Sequence, residues 1–258
     1  MNSPGGLLID LDGTVYLGRE LLPGTLKAVS CLRERGVPHL FSTNTSRKSR
    51  ANVVSSLAAM GLEVSLSEVY TAPVATTEWL ASQALKRVHL LLSRSTWDDF
   101  EDFEITDRAP DAVVVGDMGP GFTFEVLNGA FASLLGGARL VAVHKNRFWL
   151  PEQGPTLDAG PFVAALEFAA ETQAVLTGKP SPAFFHAAAR RLNIRPDELA
   201  VVGDDLTSDI LGGNGVGMTT LLVRTGKFDP ARLERADAES KPHHVADDLD
   251  AAVRLLWG

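Results

Sequence analysis

Along this chain, short runs of apolar residues alternate with segments whose apolar positions recur every three or four residues. A strand buried on both faces reads as a continuous apolar run and a crossover helix as an amphipathic one, so the alternation predicts βαβ units around a parallel sheet. Gly6–Ile9 reads as a buried strand ending at Asp10, Thr25–Arg35 as a helix and Val37–Phe41 as a second strand. Ser46–Met60 reads as a helix closed by Gly61. A further helix opens at Ser181-Pro182 and runs to Leu192, with Ser181 as N-cap and Pro182 at the first helical position. Leu199–Val202 and Thr219–Val223 read as strands on either side of a helix near Leu206–Leu211, and Asp247 as the cap of a last helix reaching Leu256.

The middle of the chain carries a complete set of elements of its own. Val88–Leu92, Ala112–Val115 and Leu140–Val143 read as strands, with helices at Phe124–Leu135 and Phe162–Ala170. The expected architecture is α/β: a Rossmann-like, doubly wound parallel-sheet core built from residues 1–77 and 177–258, with an α/β domain inserted at 78–176. Insertions of this size are tolerated at loop positions and are long enough to hold a small core.

Composition adds limits to this picture. The chain has 258 residues, 45% hydrophobic and 22% charged, with a net charge of −8 and mean hydropathy of +0.06, inside the ordinary globular range. The single cysteine, Cys31, has no partner for an intramolecular disulfide, which favours a reducing, cytoplasmic setting. Its helical context reads as core packing, not as a nucleophile. No apolar run is long enough to cross a bilayer, and the opening residues lack the basic and apolar regions of a signal peptide. The acidic balance argues against nucleic acid as a partner.

Four segments at predicted strand ends or helix starts carry the candidate chemistry, where doubly wound sheets bind ligands. In Asp10-Leu11-Asp12-Gly13-Thr14, two carboxylates spaced i, i+2 leave an apolar strand towards one crevice. Ionised Asp10 would be nucleophilic at neutral pH without a base, and Asp12, near other acids, could hold a proton for a leaving oxygen. A polar turn ending a strand explains the same residues. Ser42-Thr43-Asn44 offers a hydroxyl and N–H groups to phosphoryl oxygens, or simply caps the next helix. Lys179, in Gly178-Lys179-Pro180-Ser181-Pro182, would bring an ammonium over the crevice. Asp204, Asp205 and Asp209 crowd one strand-to-helix turn. Helix capping accounts for one of them, whereas three call for a cation, and oxygen-only ligands suit Mg²⁺.

In order and spacing, these four segments resemble the motifs of the haloacid-dehalogenase (HAD) phosphatase superfamily. Phe41-Ser42-Thr43-Asn44-Thr45-Ser46 and Gly178-Lys179-Pro180-Ser181-Pro182 look like its NagD-type branch, which carries a large α/β cap between the second and third motifs. Two further stretches, His144–Trp149 and Val223–Phe228, are similar to the phospholysine phosphohistidine inorganic pyrophosphate phosphatase group and its hydrolase-domain relatives.

The resemblance implies a Mg²⁺-dependent phosphatase acting on a small phosphorylated metabolite through an aspartyl-phosphate intermediate. It makes Asp10 nucleophile and metal ligand, and Asp12 general acid/base and, through its backbone carbonyl, a metal ligand. It gives Thr43 and Asn44 to the phosphoryl group, Lys179 to charge neutralisation, Asp204 to the metal, and Asp209 to the orientation of metal-bound water or of Lys179. In that group the position of Asp12 is often Ser, so Asp12 restores a general acid here and weakens any transfer of substrate preference. Relatives with this cap turn the loop matching His144–Trp149 towards the leaving group, and such caps often mediate homodimers. The alternatives on the same fold are a phospho-accepting signalling module and a catalytically idle binding protein. Gly213-Asn214-Gly215-Val216-Gly217 looks like a dinucleotide fingerprint, but it follows a helix and precedes a strand, so it reads as a turn.

Overall fold

The computed structural model describes residues 3–149 and 154–258. The chain divides into two compact units, one of Met1–Thr43, Val54–Tyr70 and Lys179–Gly258, the other of Asn44–Val53 and Thr71–Gly178. The sequence alone suggests 78 and 176 as the corresponding borders.

The first unit holds a six-stranded sheet in the order His244–Ala246, Thr219–Val223, Leu199–Gly203, Gly6–Asp10, His39–Thr43, Val69–Thr71. Gly6–Asp10 pairs in parallel with both neighbours, Leu8 opposite Val201 on one side and Leu40 on the other. Both Gly6–Asp10 and Leu199–Gly203 are buried at every residue, as their unbroken apolar runs require. From Gly6–Asp10 the chain moves first to one side of the sheet, at His39–Thr43, and only later to the other, at Leu199–Gly203. That reversal leaves a crevice beyond the carboxyl ends of the two central strands.

Helix Pro182–Leu192 packs its apolar face on this sheet through Phe184, Phe185 and Ala187–Ala189. The Phe184 ring lies 4.9 Å from that of Tyr70, and Asn193 closes the helix in the left-handed region at φ 55°, a conformation Asn tolerates better than most residues. Ser181 occupies the N-cap position, but its side chain makes no capping bond.

The second unit has a five-stranded sheet ordered Val175–Leu176, Arg139–Ala142, Ala112–Val115, Arg87–Leu91, Glu104–Ile105. Alternate residues of its central strands feed two cores. One gathers Val88, Leu90, Val114, Val141 and Phe100, the other Leu91, Val113, Val115 and Leu140 with helix Phe124–Leu135.

Several local expectations shift. The second strand runs over His39–Thr43, so Ser42 and Thr43 belong to it and do not follow it. The next helix starts at Arg50, four residues late, because the Ser49 hydroxyl accepts the Asn52 N–H at 3.2 Å and sets the helix start there. The last helix is capped by Asp248, whose carboxylate accepts the Ala251 N–H, while Asp247 pairs with Arg224 at 2.8 Å on the surface. Cys31 is only half-buried. Trp97 packs against the core of the second unit, with Arg94 stacked 3.6 Å above its ring. No described helix is long and apolar enough to cross a membrane.

Phe100 is fully buried in a core that Trp79 and Trp97 border. Phe100→Ala should therefore destabilise the protein by about 3–5 kcal/mol, the usual cost of emptying such a site. Urea unfolding followed by tryptophan fluorescence reads this directly. A loss under about 1 kcal/mol would mean that the second unit has no tight core there.

Candidate active site

The crevice gathers side chains from three places in the chain. Asp10 is the last residue of its strand, and Asp204 and Asp209 follow the end of the neighbouring strand, Leu199–Gly203. One carboxylate oxygen from each of the three lies within 4.8 Å of the others, and all three residues are buried. Lys179 enters from the segment before helix Pro182–Leu192. Its ammonium, 3% exposed as a residue, donates to Asp10 Oδ1 and to Asp209 Oδ1, both at 2.6 Å.

The turn after Leu199–Gly203 explains how two acids five residues apart reach one point. Residues Leu206–Ile210 form a single wide helical turn, in which the N–H groups of Asp209 and Ile210 both reach the Asp205 carbonyl. That turn swings Asp209 back beneath the strand end. Asp205 points elsewhere: it caps the turn through the Thr207 N–H and hydroxyl and pairs with Lys227 at 3.0 Å.

The electrostatics follow from burial and crowding. Burial raises the Asp204 carboxyl to about 8, and the charges of Asp10 and Asp209 add to the effect. Burial also lifts Asp209 to about 6, with Asp10 adding to the rise and Lys179 opposing it. Asp10 moves in the same direction, again chiefly by burial and against Lys179. For Lys179 itself burial disfavours the charge, but Asp10 and Asp209 outweigh it and hold the ammonium above the ordinary lysine range. Asp205 falls to about 2, because Lys227 and Thr207 overcome its burial.

Three buried carboxylates this close together present the donor set of a hard cation. All donors are oxygens, they converge on one point, and a divalent ion would offset both the burial and the mutual repulsion that raise their pKa values. Asp10 and Asp204 are the members with an oxygen to offer. Asp209 has both of its own engaged, Oδ1 by Lys179 and Oδ2 by Ser208, which fits a residue that orients the lysine. Asp12 is exposed and close enough to raise the pKa values of Asp10 and Tyr16. Gly13, at φ 88°, lets the chain turn against Asp204, where any Cβ would collide with the carboxylate.

Thr43 ends the strand beside Gly6–Asp10 and is 4% exposed; its neighbour Ser42 is in register with Asp10. Asn44 is the first residue of the other unit. In that unit His144, expected in an accessible loop, is buried, with its Nε2 2.9 Å from Ser46 Oγ. Sequence reasoning did not identify Thr225 and Lys227 as site residues. The Thr225 hydroxyl donates to the Gly13 carbonyl at 2.5 Å, and the Lys227 N–H donates to Asp204 Oδ2 at 2.7 Å. A backbone donor leaves no mark in a sequence; the glycine between them, Gly226, was the available signal.

Residues 7–106 match a family model described as haloacid dehalogenase-like hydrolase, and residues 176–252 one described as HAD-hydrolase-like. The chain is 36% identical over 245 residues to haloacid dehalogenase-like hydrolase domain-containing protein 2 of Mus musculus, which covers 93% of each chain. It is also 36% identical over 257 residues to the phospholysine phosphohistidine inorganic pyrophosphate phosphatase of Bos taurus, covering 97% of this chain and 93% of that protein. Among solved structures, a 4-nitrophenylphosphatase from Thermotoga maritima superposes with a TM-score of 0.91 at 30% identity, over 97% of both chains. A glycerol phosphate phosphatase from Mycobacterium tuberculosis, in complex with magnesium, gives 0.88 at 30% identity, over 98% of this chain and 78% of that one.

The raised carboxyls yield a pH prediction for the cation-free protein. Folded Asp204 and Asp209 titrate near 8 and 6 against an ordinary value of 3.8. Between those limits the folded chain binds more protons than the unfolded one, so stability falls as pH rises. The upward shift of Lys179 contributes stability that is constant across this window, since the ordinary lysine value is about 10.4. Melting temperatures in EDTA should therefore drop from about pH 5 to 8, and excess divalent cation should flatten the drop by taking the protons' place. Parallel curves with and without cation would contradict a shared site.

Proposed function

The chain belongs to the haloacid dehalogenase-like hydrolases, in their NagD-like branch, and is a phosphoric monoester hydrolase; we propose that it cleaves a small phosphorylated metabolite by phosphoryl transfer to Asp10. One observation carries this reading: the Lys179 ammonium is buried between Asp10 and Asp209, with Asp204 completing the acid cluster. A lone surface lysine has no such geometry, whereas an anionic group drawn into this crevice needs a fixed positive charge beside the nucleophile.

Asp10 and Asp204, with the Asp12 carbonyl, would hold the divalent cation of this family, taken here as Mg²⁺. When bound, it would offset the acids and draw the phosphoryl oxygens into line. Lys179 fixes the rotation of the Asp10 carboxylate through its bond to Oδ1 and shares the charge of the entering phosphoryl group. Thr43 and Asn44 would take the remaining phosphoryl oxygens. A carboxylate oxygen of Asp10 attacks phosphorus as the ester P–O bond breaks, and Asp12 gives its proton to the leaving oxygen. Water, losing a proton to Asp12, then attacks the same phosphorus. The Asp10–phosphorus bond breaks, inorganic phosphate leaves, and both acids return to their starting forms. Asp12 is exposed, as a group must be that meets first a leaving group and then water.

The direct test is phosphate release from p-nitrophenyl phosphate. Turnover should require added Mg²⁺, stop in EDTA, and fall by more than about 10³-fold in Asp10→Asn, whose amide is a poor nucleophile. Residual activity within about tenfold of wild type would end the assignment of Asp10.

Asp12→Ser separates the two duties of the acid. Alkyl phosphates, whose leaving oxygen needs a proton, should lose about 10²–10⁴-fold. The release of p-nitrophenolate, which departs unaided, should suffer far less in a single turnover. Equal losses for both leaving groups would show that Asp12 shapes the site without transferring protons.

A further inference from the structure

The segment Arg224–Phe228 leaves the sheet beside Leu199–Gly203 and returns to the crevice, although no step of the proposed chemistry uses it. Three contacts bring it there. Thr225 Oγ1 donates to the Gly13 carbonyl at 2.5 Å, the Lys227 N–H donates to Asp204 Oδ2 at 2.7 Å, and Lys227 Nζ reaches Asp205 Oδ2 at 3.0 Å. Gly226 and Gly13 lie against each other and against the same oxygen of Asp204: a Cβ on either would clash with Asp204 Oδ2, and both have positive φ, 56° and 88°. Asp204 Oδ2 is thus held in a clasp made of two adjoining glycine backbones and a main-chain donor.

We propose that the Thr225–Lys227 turn is a positioning element for the cation site, holding Asp204 so that Oδ1 is its more open oxygen and neutralising Asp205 beside it. A free carboxylate can rotate, chelate a cation with both oxygens, or hold it off-centre. With Oδ2 bonded to the Lys227 N–H and packed against Gly13 and Gly226, Oδ1 is the more open oxygen, and its direction follows from those contacts. The adjacent acid presents the opposite hazard, since Asp205 is one residue from Asp204 and would add a competing ligand and a further negative charge. Lys227 Nζ and the Thr207 groups occupy it instead. Thr225, by holding the Gly13 carbonyl, fixes the Gly13–Thr14 peptide one residue beyond Asp12, so a single turn touches both edges of the site. Contacts of this kind around a ligand typically govern about 10–100-fold in metal affinity.

The inference rests on the cation-dependent reading above, and its test separates the two. Mg²⁺ binding is measured by calorimetry on the full-length protein, together with melting in EDTA, for wild type, Thr225→Val, Gly226→Ala and Lys227→Met. Gly226→Ala must displace Asp204 and should weaken binding by about 10–100-fold. Thr225→Val should weaken it less, while melting in EDTA stays within a few degrees of wild type. Lys227→Met keeps the backbone donor but removes one positive charge near the cation, so binding should tighten a few-fold at low salt. A merely structural role for the turn predicts that all three variants weaken binding in step with lost stability. That pattern, or unchanged affinity in Gly226→Ala and Thr225→Val, overturns the inference while leaving the phosphatase reading intact. A wild-type protein that binds no Mg²⁺ overturns both.

Discussion

Everything in this site follows from packing three buried carboxylates and one buried ammonium into a volume where like charges cannot be ignored. Asp10, Asp204 and Asp209 bring three potential negative charges within 4.8 Å, and Lys179 answers only part of them. Replacing such a buried cluster with apolar groups is often neutral or stabilising, while removing one partner typically costs about 3–5 kcal/mol. The cluster is therefore a poor device for stability and an effective one for geometry. Lys179 fixes two carboxylates at once. Burial, with the charges of Asp10 and Asp209 added, raises Asp204 to about 8, and a divalent cation and a phosphoryl group together would resolve what remains unbalanced.

The sheet is arranged to make this crowding possible. The acids come from the ends of two adjacent central strands, whose buried apolar runs position the chain without contributing polar groups of their own. The wide turn Leu206–Ile210 then returns Asp209 to the strand end, and the Lys227 N–H and two glycines fix Asp204. Rigid strands deliver the candidate groups, and short turns aim them. The same division of labour recurs wherever loops at the carboxyl end of a parallel sheet carry chemistry.

Much of this was legible in the chain, and the limits have physical causes. Strands such as Ala112–Val115 and Thr219–Val223 appear at the residues expected, because a buried strand admits almost nothing but apolar side chains. Helix Ala72–Ser82 escaped notice because its buried and half-buried faces leave little amphipathic contrast. Asp247 and Asp248 are equally good caps on paper; only the geometry of the turn selects Asp248. The candidate residues Asp10, Lys179, Asp204 and Asp209 stand out through their order along the chain and through the crowding of Asp204, Asp205 and Asp209 in one turn, which helix capping alone does not explain. The clasp on Asp204 is invisible to that logic, since it is built from a main-chain N–H and from glycines that are defined by what they lack.

On the proposed reading, Asp10 carries the phosphoryl group during turnover. This is tested most directly by quenching the enzyme in acid within one turnover and locating covalent phosphate by peptide mass spectrometry. A single acid-stable, hydroxylamine-labile phosphoryl group should appear on the peptide bearing Asp10 and be absent from Asp10→Asn. Phosphate released with no labelled enzyme at any time before the first turnover is complete, or labelled on a different residue, would contradict it.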